Sequence, residues 1–330
     1  MFDVAIVGGG PAGLLLASVL ARDASVIMLE RHRLGQSNKF WVTTVRRLKK
    51  HNLEGCIRFQ TDRVSVGTFL GSTAIGIGDM AVVDENELLN ALILRCRESG
   101  VRLVENAELS SFKWTSKSVS LITTAGSFCT RLMVDATGGL SPIAATFRLH
   151  RLSGFFSVYG SHIDNVTLYS PDIILAYVHR LGYPLEMLEV VPTGKSSAFC
   201  VLVVGAKRLV APDRLSSSFE AHLRENPFFV RGTSESPDGA KFGVIPVGQV
   251  RRKMLPGIIA HGEAALVQPP FLGTAFNEVL EYTGLVAAQI IEGLARAGSR
   301  LPTISIKYPP MKAMNDFVQR RLVNKLMDAD

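Results

Sequence analysis

Gly8, Gly10 and Gly13 stand at the spacing G-x-G-x-x-G, directly after the apolar run Asp3-Val4-Ala5-Ile6-Val7 and before an apolar stretch at 14–21. Each glycine has a separate job in that pattern. Gly8 permits a tight turn, Gly10 lets the backbone approach a pyrophosphate, and Gly13 lets a helix and a strand pack closely. Pro11 and Ala12 complete the turn, and the first N–H groups of the following helix, with the positive end of its dipole, are then available to an anion. Glu30 closes a second apolar run, Val26-Ile27-Met28-Leu29, 20 residues after Gly10, with Arg31 beside it. A carboxylate at that distance is placed to accept hydrogen bonds from ribose hydroxyls. The spacing predicts a dinucleotide site on a βαβ unit.

Two further glycine-containing loops follow apolar runs. One is Val134-Asp135-Ala136-Thr137-Gly138-Gly139, and the other is Gly262-Glu263-Ala264-Ala265 leading to Pro269-Pro270 and Gly273-Thr274-Ala275-Phe276-Asn277. The elements that must position these groups read as an α/β fold. A strand at 3–7, a helix at 14–21 and a strand at 26–29 open the chain. A helix at 84–97, capped by Asp84 with Glu87 three positions on, precedes a strand at 101–104. Antiparallel strands at 108–128 are followed by a buried strand at 132–135. Near the end come a strand at 257–260, a loop at 262–273 and a long helix at 276–295. Residues 154–250 read as β-rich, with turns at Tyr183-Pro184 and Pro192-Thr193-Gly194. The expected organisation is a discontinuous Rossmann-like cofactor domain, 1–153 and 251–330, with a small β insertion near 60–83, and an interleaved β-rich substrate domain at 154–250.

Composition narrows the function classes. The 330 residues carry a net charge of +7 and are 47% hydrophobic, enough for a sizeable core and against disorder. Residues 31–63 hold nine Lys/Arg against Glu54 and Asp62, which favours an anionic partner nearby. Arg46-Arg47 and Lys49-Lys50 are not interleaved with stacking aromatics, and no nucleic-acid-binding motif occurs, so nucleic acid is not expected as a partner. Cys56, Cys96, Cys129 and Cys200 are dispersed, without a CxxC pair or metal spacing, so reduced thiols and no metal are expected. Residues 1–7 lack a basic leader pattern and no run of eighteen apolar residues occurs, which gives a cytoplasmic expectation. Residues 311–327 place Met311, Met314, Phe317, Val318, Leu322 and Leu326 near helical spacing with Lys312, Arg320, Arg321 and Lys325 between. That helix either covers the protein's own core or makes a peripheral contact with membrane or a partner. Nothing assigns an oligomeric state.

The glycine loops together resemble the glutathione-reductase-type FAD fold, in particular the group A flavin monooxygenases, geranylgeranyl reductases, lycopene cyclases and flavin halogenases. The segment 134–142 is similar to the DATG variant of the reductase, cyclase and halogenase side, and the resemblance implies that Asp135 and Gly138 line the FAD diphosphate region. The segment 262–277 is similar to the GDAA…PPxxGxGxN signature, with Glu263 in place of Asp and Ala275 in place of the second loop glycine. The resemblance implies that Glu263 bonds a ribityl hydroxyl. It also implies that Pro270, Gly273, Thr274, Ala275 and Asn277, at the start of the long helix, face the flavin pyrimidine edge, where positive charge favours a reduced flavin. Asn38-Lys39-Phe40-Trp41 falls where these families place residues near the FAD ribose and substrate cavity. Lys39 or Arg46 would meet a phosphate or a substrate carboxylate, or stand as surface charge. Trp41 suits core or cavity lining.

With FAD supplying the redox chemistry, the protein must bind it, orient a substrate and exclude water. The chain has one dinucleotide fingerprint, which fits NAD(P)H as a transient reductant. The leading expectation is an FAD-dependent monooxygenase that hydroxylates or epoxidises a hydrophobic small molecule. A geranylgeranyl-reductase-like enzyme and a lycopene-cyclase-like enzyme acting on an isoprenoid or polyene are the alternatives, together with a non-catalytic FAD-binding module. The WxWxIP motif of halogenases is absent, since the two tryptophans are Trp41 and Trp114. Met187-Leu188-Glu189-Val190-Val191 is faintly similar to the FLEET segment of the cyclases. In an apolar pocket Glu189 would be held protonated as a usable acid; on a strand's solvent face it would not. Tyr159, His162, Tyr177 and His179 are further polar residues of the expected substrate sheet, of which His162 and Tyr177 join Glu189 as catalytic candidates.

Overall fold

The computed structural model describes the chain apart from residues 38, 69–70, 181–183, 226–228, 232–238, 252–254, 271–273 and 329–330, and apart from the side chains of residues 77, 229–231 and 326–328. The opening βαβ unit is formed by β1 (Phe2–Val7), α1 (Pro11–Leu20) and β2 (Val26–Leu29). Then come β3 (Trp41–Thr44), α2 (Val45–Lys49), β4 (Ile57–Thr68), β5 (Gly71–Val83), α3 (Glu85–Glu98) and β6 (Arg102–Val104). The strands β7 (Leu109–Trp114), β8 (Val119–Thr123) and β9 (Gly126–Asp135) precede the short α4 (Pro142–Thr146). Next are β10 (His150–Asp164), β11 (Val166–Leu168), β12 (Ile174–Arg180), β13 (Leu185–Gly194), β14 (Ser197–Ala206), α5 (Pro212–Arg224), β15 (Phe229–Arg231) and β16 (Lys241–Val250). The chain ends with β17 (Ile258–Ala260), α6 (Ala275–Ala297) and α7 (Pro310–Asp328).

Two large sheets organise these elements. The first has the order β6-β2-β1-β9-β8-β7, with β17 also on β9. Its centre is parallel and buried on both faces, which is why Val4, Ala5, Ile6 and Val7 form an unbroken apolar run rather than an alternating one. Val4 and Ile6 pack under α1, α3 and α6, whereas Ala5 and Val7 pack with Leu121 and Ile143 on the other face. Leu14, Leu15, Leu16 and Leu20 of α1 are fully buried, each worth about 1.5–3 kcal/mol. Asp84 caps α3 by accepting from Asn86 N and Glu87 N, both at 3.0 Å, as its place in the sequence predicts.

The strand expected at 132–135 is the second half of β9. The first half pairs antiparallel with β8 (Val119↔Thr130 to Thr123↔Gly126), and the strand then runs parallel to β1, from Phe2↔Thr130 to Val7↔Asp135. One strand thus joins the β-meander to the parallel core.

The second sheet has the order β16-β10-β14-β13-β12-β4-β5-β3. The hairpin expected as a small insertion near 60–83 in the cofactor unit is hydrogen-bonded into this larger sheet, because β12 runs parallel to β4 from Ile174↔Val64 to Tyr177↔Gly67. The turn expected at Pro192-Thr193-Gly194 lies later: β13 continues to Gly194 and the chain reverses at Lys195 and Ser196. The other expected turn lies largely outside the described residues. One face of the sheet is covered by α5 through Leu215, Phe219 and Leu223. The other carries Val191, Phe199 and Val201 and packs on Phe40, Val42 and Val82.

Among the described residues no helix is long and apolar enough to cross a membrane, and no cluster of His, Cys, Asp and Glu could hold a metal ion.

Candidate functional site

At the end of β1 the backbone of Gly8 has φ +111°, and its N–H donates to Leu29 O at 2.9 Å. A Cβ at Gly8 would sit 2.4 Å from Ala136 O, and one at Gly13 would sit 2.1 Å from Gly8 O. The glycines therefore let three backbones meet: the first turn, the start of α1 and the loop after β9. Gly10 differs, since nothing lies within 4 Å of a Cβ built there. It is the N-cap of α1 and offers no side-chain acceptor, with Pro11 and Ala12 opening the helix. The α1 N-terminus thus has no side-chain cap and open space beside Gly10, which is the arrangement that receives an anion. Glu30 lies against this turn, accepting from Gly9 N at 2.6 Å and His32 N at 2.9 Å. Arg31 is exposed beside it.

Asp135 departs from its expected role. It is fully buried, and its carboxylate accepts from Thr137 N (3.1 Å), Thr137 Oγ1 (2.7 Å) and Ser141 Oγ. Burial, only partly offset by Ser141 and Thr137, raises its pKa. These three hydrogen bonds run into its own loop, so it shapes the loop that carries Gly138 rather than lining the site. Gly138, at φ +92°, and Gly139 lie beside Glu263: Gly139 N donates to Glu263 Oε2 at 3.2 Å. Lys39 Nζ donates to the same oxygen at 2.6 Å. Glu263 and Lys39, 224 positions apart in the chain, are thus brought together at the edge of the turn. Gly262 sits directly over Ala12, where an added Cβ would be 2.7 Å from the Ala12 Cβ.

At the start of α6, Pro270 and Ala275 are buried, and Thr274 is the N-cap without a side-chain cap bond. Gly273 and Asn38 lie outside the described residues. Around this helix entry several buried polar atoms have no hydrogen-bond partner among the described residues: Asn277 Oδ1, Gln268 Oε1, and both ring nitrogens of His261. Burial lowers the His261 pKa to about 4, so the ring is neutral. Orphaned polar atoms inside a core are costly. Four of them beside a bare glycine turn fit a polar cofactor of dinucleotide size: α1 for its diphosphate, Glu30 for a ribose, and the α6 entry for its ring system.

The basic helix α2 meets α6 through Glu281, which pairs with Arg47 (3.6 Å) and Lys50 (3.1 Å), while Arg46 is exposed. Trp41 packs on Phe276, ring centroids 5.8 Å apart, as a core residue.

On the second sheet, strand alternation separates the three catalytic candidates. Glu189 is in register with Val201 and Ala176, on the face that carries Val191 and Phe199 and looks toward Phe40. It keeps some accessible surface, has no hydrogen-bond or ion-pair partner among the described residues, and burial is the cause that raises its carboxyl to about 7. His162 shares this face, 5.0 Å from the Phe199 ring, with Nε2 4.0 Å from Glu85 Oε1. Tyr177 points to the opposite face, among the residues under α5. There its ring meets His179 at 4.7 Å, and the His179 ring lies 3.7 Å from that of His222 of α5 at a tilt of 31°. An odd-numbered neighbour of Ala176 cannot reach Glu189's face.

Sequence reasoning missed Glu85 and Lys241. Glu85, first residue of α3, is buried and bonded to Lys241 Nζ. Burial pushes its pKa up, but His162, Lys241 and its own backbone N–H outweigh this and hold it at about 2. No local signal marks that pair, because its members come from a helix start and an edge strand 156 positions apart. His261 and Gln268 were equally silent, although both flank the glycine loop. A surface cleft of about 640 Å³, lined by Gln289, Glu292, Arg296 and Lys307 among others, lies at the far end of α6, roughly 30 Å from its N-terminus at 1.5 Å per residue, and is remote from this site.

The chain is similar to several solved structures. A geranylgeranyl bacteriochlorophyll reductase-like protein from Thermoplasma acidophilum is 14% identical, with a TM-score of 0.79 over 100% of this chain and 88% of that one. A variant of the halogenase PltM in complex with FAD is 14% identical, with a TM-score of 0.70 over 99% of this chain and 74% of the other. The Diels-Alderase PyrE3 of pyrroindomycin biosynthesis is 17% identical, with a TM-score of 0.69 over 99% and 74%. No curated protein sequence matches significantly. The family model described as lycopene cyclase protein matches residues 3–329, and the chain belongs to that family.

Proposed function

We propose that the protein is an FAD-dependent enzyme acting on a hydrophobic isoprenoid or polyene, with Glu189 as the acid that protonates it. The observation that carries this reading is the environment of Glu189: a carboxyl on the apolar, site-facing side of the sheet, without an ion-pair partner among the described residues, whose pKa is raised to about 7 by burial. Such a group keeps a large protonated fraction at neutral pH, and in that form it can deliver its proton to a carbon–carbon double bond. The polyene then closes a ring through a neighbouring double bond and loses a proton elsewhere, so the net change is isomerisation.

Bound FAD would supply electron density from its reduced ring to offset the developing cation. This chain's residues would hold it as follows: the open α1 N-terminus at Gly10, Pro11, Ala12 and Gly13 takes the diphosphate, and Glu30 takes a ribose. Lys39 would offer its ammonium to a cofactor oxygen, and His261, Gln268 and Asn277 would satisfy their orphaned polar atoms on the cofactor. The similarity of the fold to that of the FAD-bound halogenase PltM variant supports the cofactor, and the family match supports both the cofactor and a cyclase-like reaction.

The test is reconstitution with FAD, anaerobic addition of NADPH or NADH, and incubation with an acyclic polyene in deuterated water. One deuteron in a cyclised product, with no oxygen gained, supports the reading. Rapid bleaching by NAD(P)H followed by reoxidation in air, with an oxygenated product, would replace it with the monooxygenase; failure to bind FAD would remove both.

A further inference from the structure

The last helix has two faces of opposite character. The inward one is anchored by a buried ammonium: Lys312 Nζ is held by Glu278 at 2.8 Å, Asp316 at 3.0 Å and Val267 O at 2.8 Å, and lies 5.7 Å from the Tyr308 ring centroid. Lower down, Val323 is buried against Phe156 and Val247, and Arg320 donates to Gln249 at 3.1 Å. The orientation of α7 is therefore determined by specific contacts along its length.

The outward face is apolar. Met311 is 75% exposed, Met314 63%, Phe317 53%, Val318 59% and Leu322 46%. At 100° per residue these five fall on one side of the helix, and Arg321 and Lys325 fall among them. This corrects the simplest expectation for the segment, that its apolar stripe covers the protein's own core: the core takes Lys312 and Val323 instead. Among the described side chains of α7 the only carboxylate, Asp316, is turned inward to Lys312. Arg321 lies over the Phe317 ring at 4.7 Å, so its stem follows the apolar surface while its charge stays at the edge.

Five large apolar side chains exposed together on one helix face mark an interaction site. We propose that the outer face of α7 docks the protein on an anionic lipid surface. Five large apolar side chains would enter the headgroup boundary, while Arg321 and Lys325 remain at the phosphate level. A second copy of the chain is the poorer occupant, because a two-fold contact would set these cations against their own copies without a described carboxylate to offset them. The inference is independent of the reaction proposed above.

The test is co-sedimentation of the full chain with vesicles of phosphatidylcholine alone and of phosphatidylcholine mixed with phosphatidylglycerol, with light scattering in parallel. Expected are binding to the mixed vesicles, weakening with salt, and a loss of at least about tenfold in partitioning for the Phe317→Ser, Val318→Ser, Leu322→Ser triple variant and for the Arg321→Glu, Lys325→Glu double variant. All five positions are exposed, so an unchanged thermal transition confirms that the variants fold. A Phe317→Trp variant should show blue-shifted fluorescence on binding. No binding to either vesicle, or binding unaffected by the variants, overturns the proposal. A wild-type dimer that the variants dissociate, without vesicle binding, assigns the face to a second copy instead.

Discussion

Around the seven-stranded sheet the candidate site is made of backbone, whereas on the eight-stranded sheet it is made of side chains arriving from separate strands. Gly8, Gly10 and Gly13 act by what they lack, and a Cβ at two of them would collide with main-chain oxygen. Glu189 and His162 act by what they carry, and they share a face only because β10, β14 and β13 are adjacent and in a particular register. The same contrast holds between the two buried glutamates. Glu85 has Lys241, His162 and a helix N-terminus and is held near 2; Glu189 has no partner among the described residues and is raised to about 7. Burial pushes both in one direction, and the company each keeps decides the sign. The lesson is that a cofactor cradle and an acid need opposite surroundings, rich in donors for one and stripped of them for the other.

That contrast can be broken most directly at Glu189. Glu189→Gln keeps the shape and removes only the proton, so FAD binding should survive while deuteron incorporation falls by about 10²–10⁴-fold. Equal loss of flavin binding would show that the carboxyl belongs to the cradle. At Gly13, Gly13→Val forces a side chain into Gly8 O; a loss of about 3 kcal/mol in denaturant unfolding is expected, with loss of the bound-flavin spectrum. Retained stability and flavin would mean that the close backbone approach is not needed.

The two glutamates should also differ in how they couple stability to pH. Glu85 is depressed, so its contribution is complete above the unfolded value of 4.5 and is lost as pH falls toward 2. Glu189 is raised, so its contribution is complete below 4.5 and is lost as pH rises through about 7. Each amounts to about 2 kcal/mol once solvent screening is allowed for. Urea titrations of the wild type, Glu85→Gln and Glu189→Gln across this range should remove the acidic slope in the first variant and the neutral slope in the second. The smallest effect is expected at Tyr177, which faces α5: Tyr177→Phe should change turnover by less than about twofold, as for substitutions away from the site. A larger loss would contradict the assignment of faces.

Much of the cofactor half was legible because its determinants are local. A glycine turn between a strand and a helix, an acid at the end of the next strand and a capped helix at Asp84 each lie within a few residues of the element they shape. Asp135 shows the limit of that reading. Its place in the loop was legible, but whether its carboxylate turned outward to a ligand or inward to Thr137 and Ser141 depended on how the loop closed. On the other sheet even the assignment of strands was hidden, since nothing in residues 57–83 announces that β4 will pair with β12 more than a hundred positions later.

By itself the sequence determined where backbones approach closely around a glycine turn, because that approach is a property of glycine at given spacings and needs no distant partner. It also determined that the last helix is amphipathic. Only the tertiary structure decided that Tyr177 and Glu189 face opposite ways, that Lys241 answers Glu85, that Lys39 reaches Glu263, and that α7 turns its apolar side outward. Each of these depends on register, on which elements become neighbours, and on the field that packed neighbours impose on a buried charge. Those are properties of the assembled chain, and residue spacing alone does not encode them in a form that can be read locally.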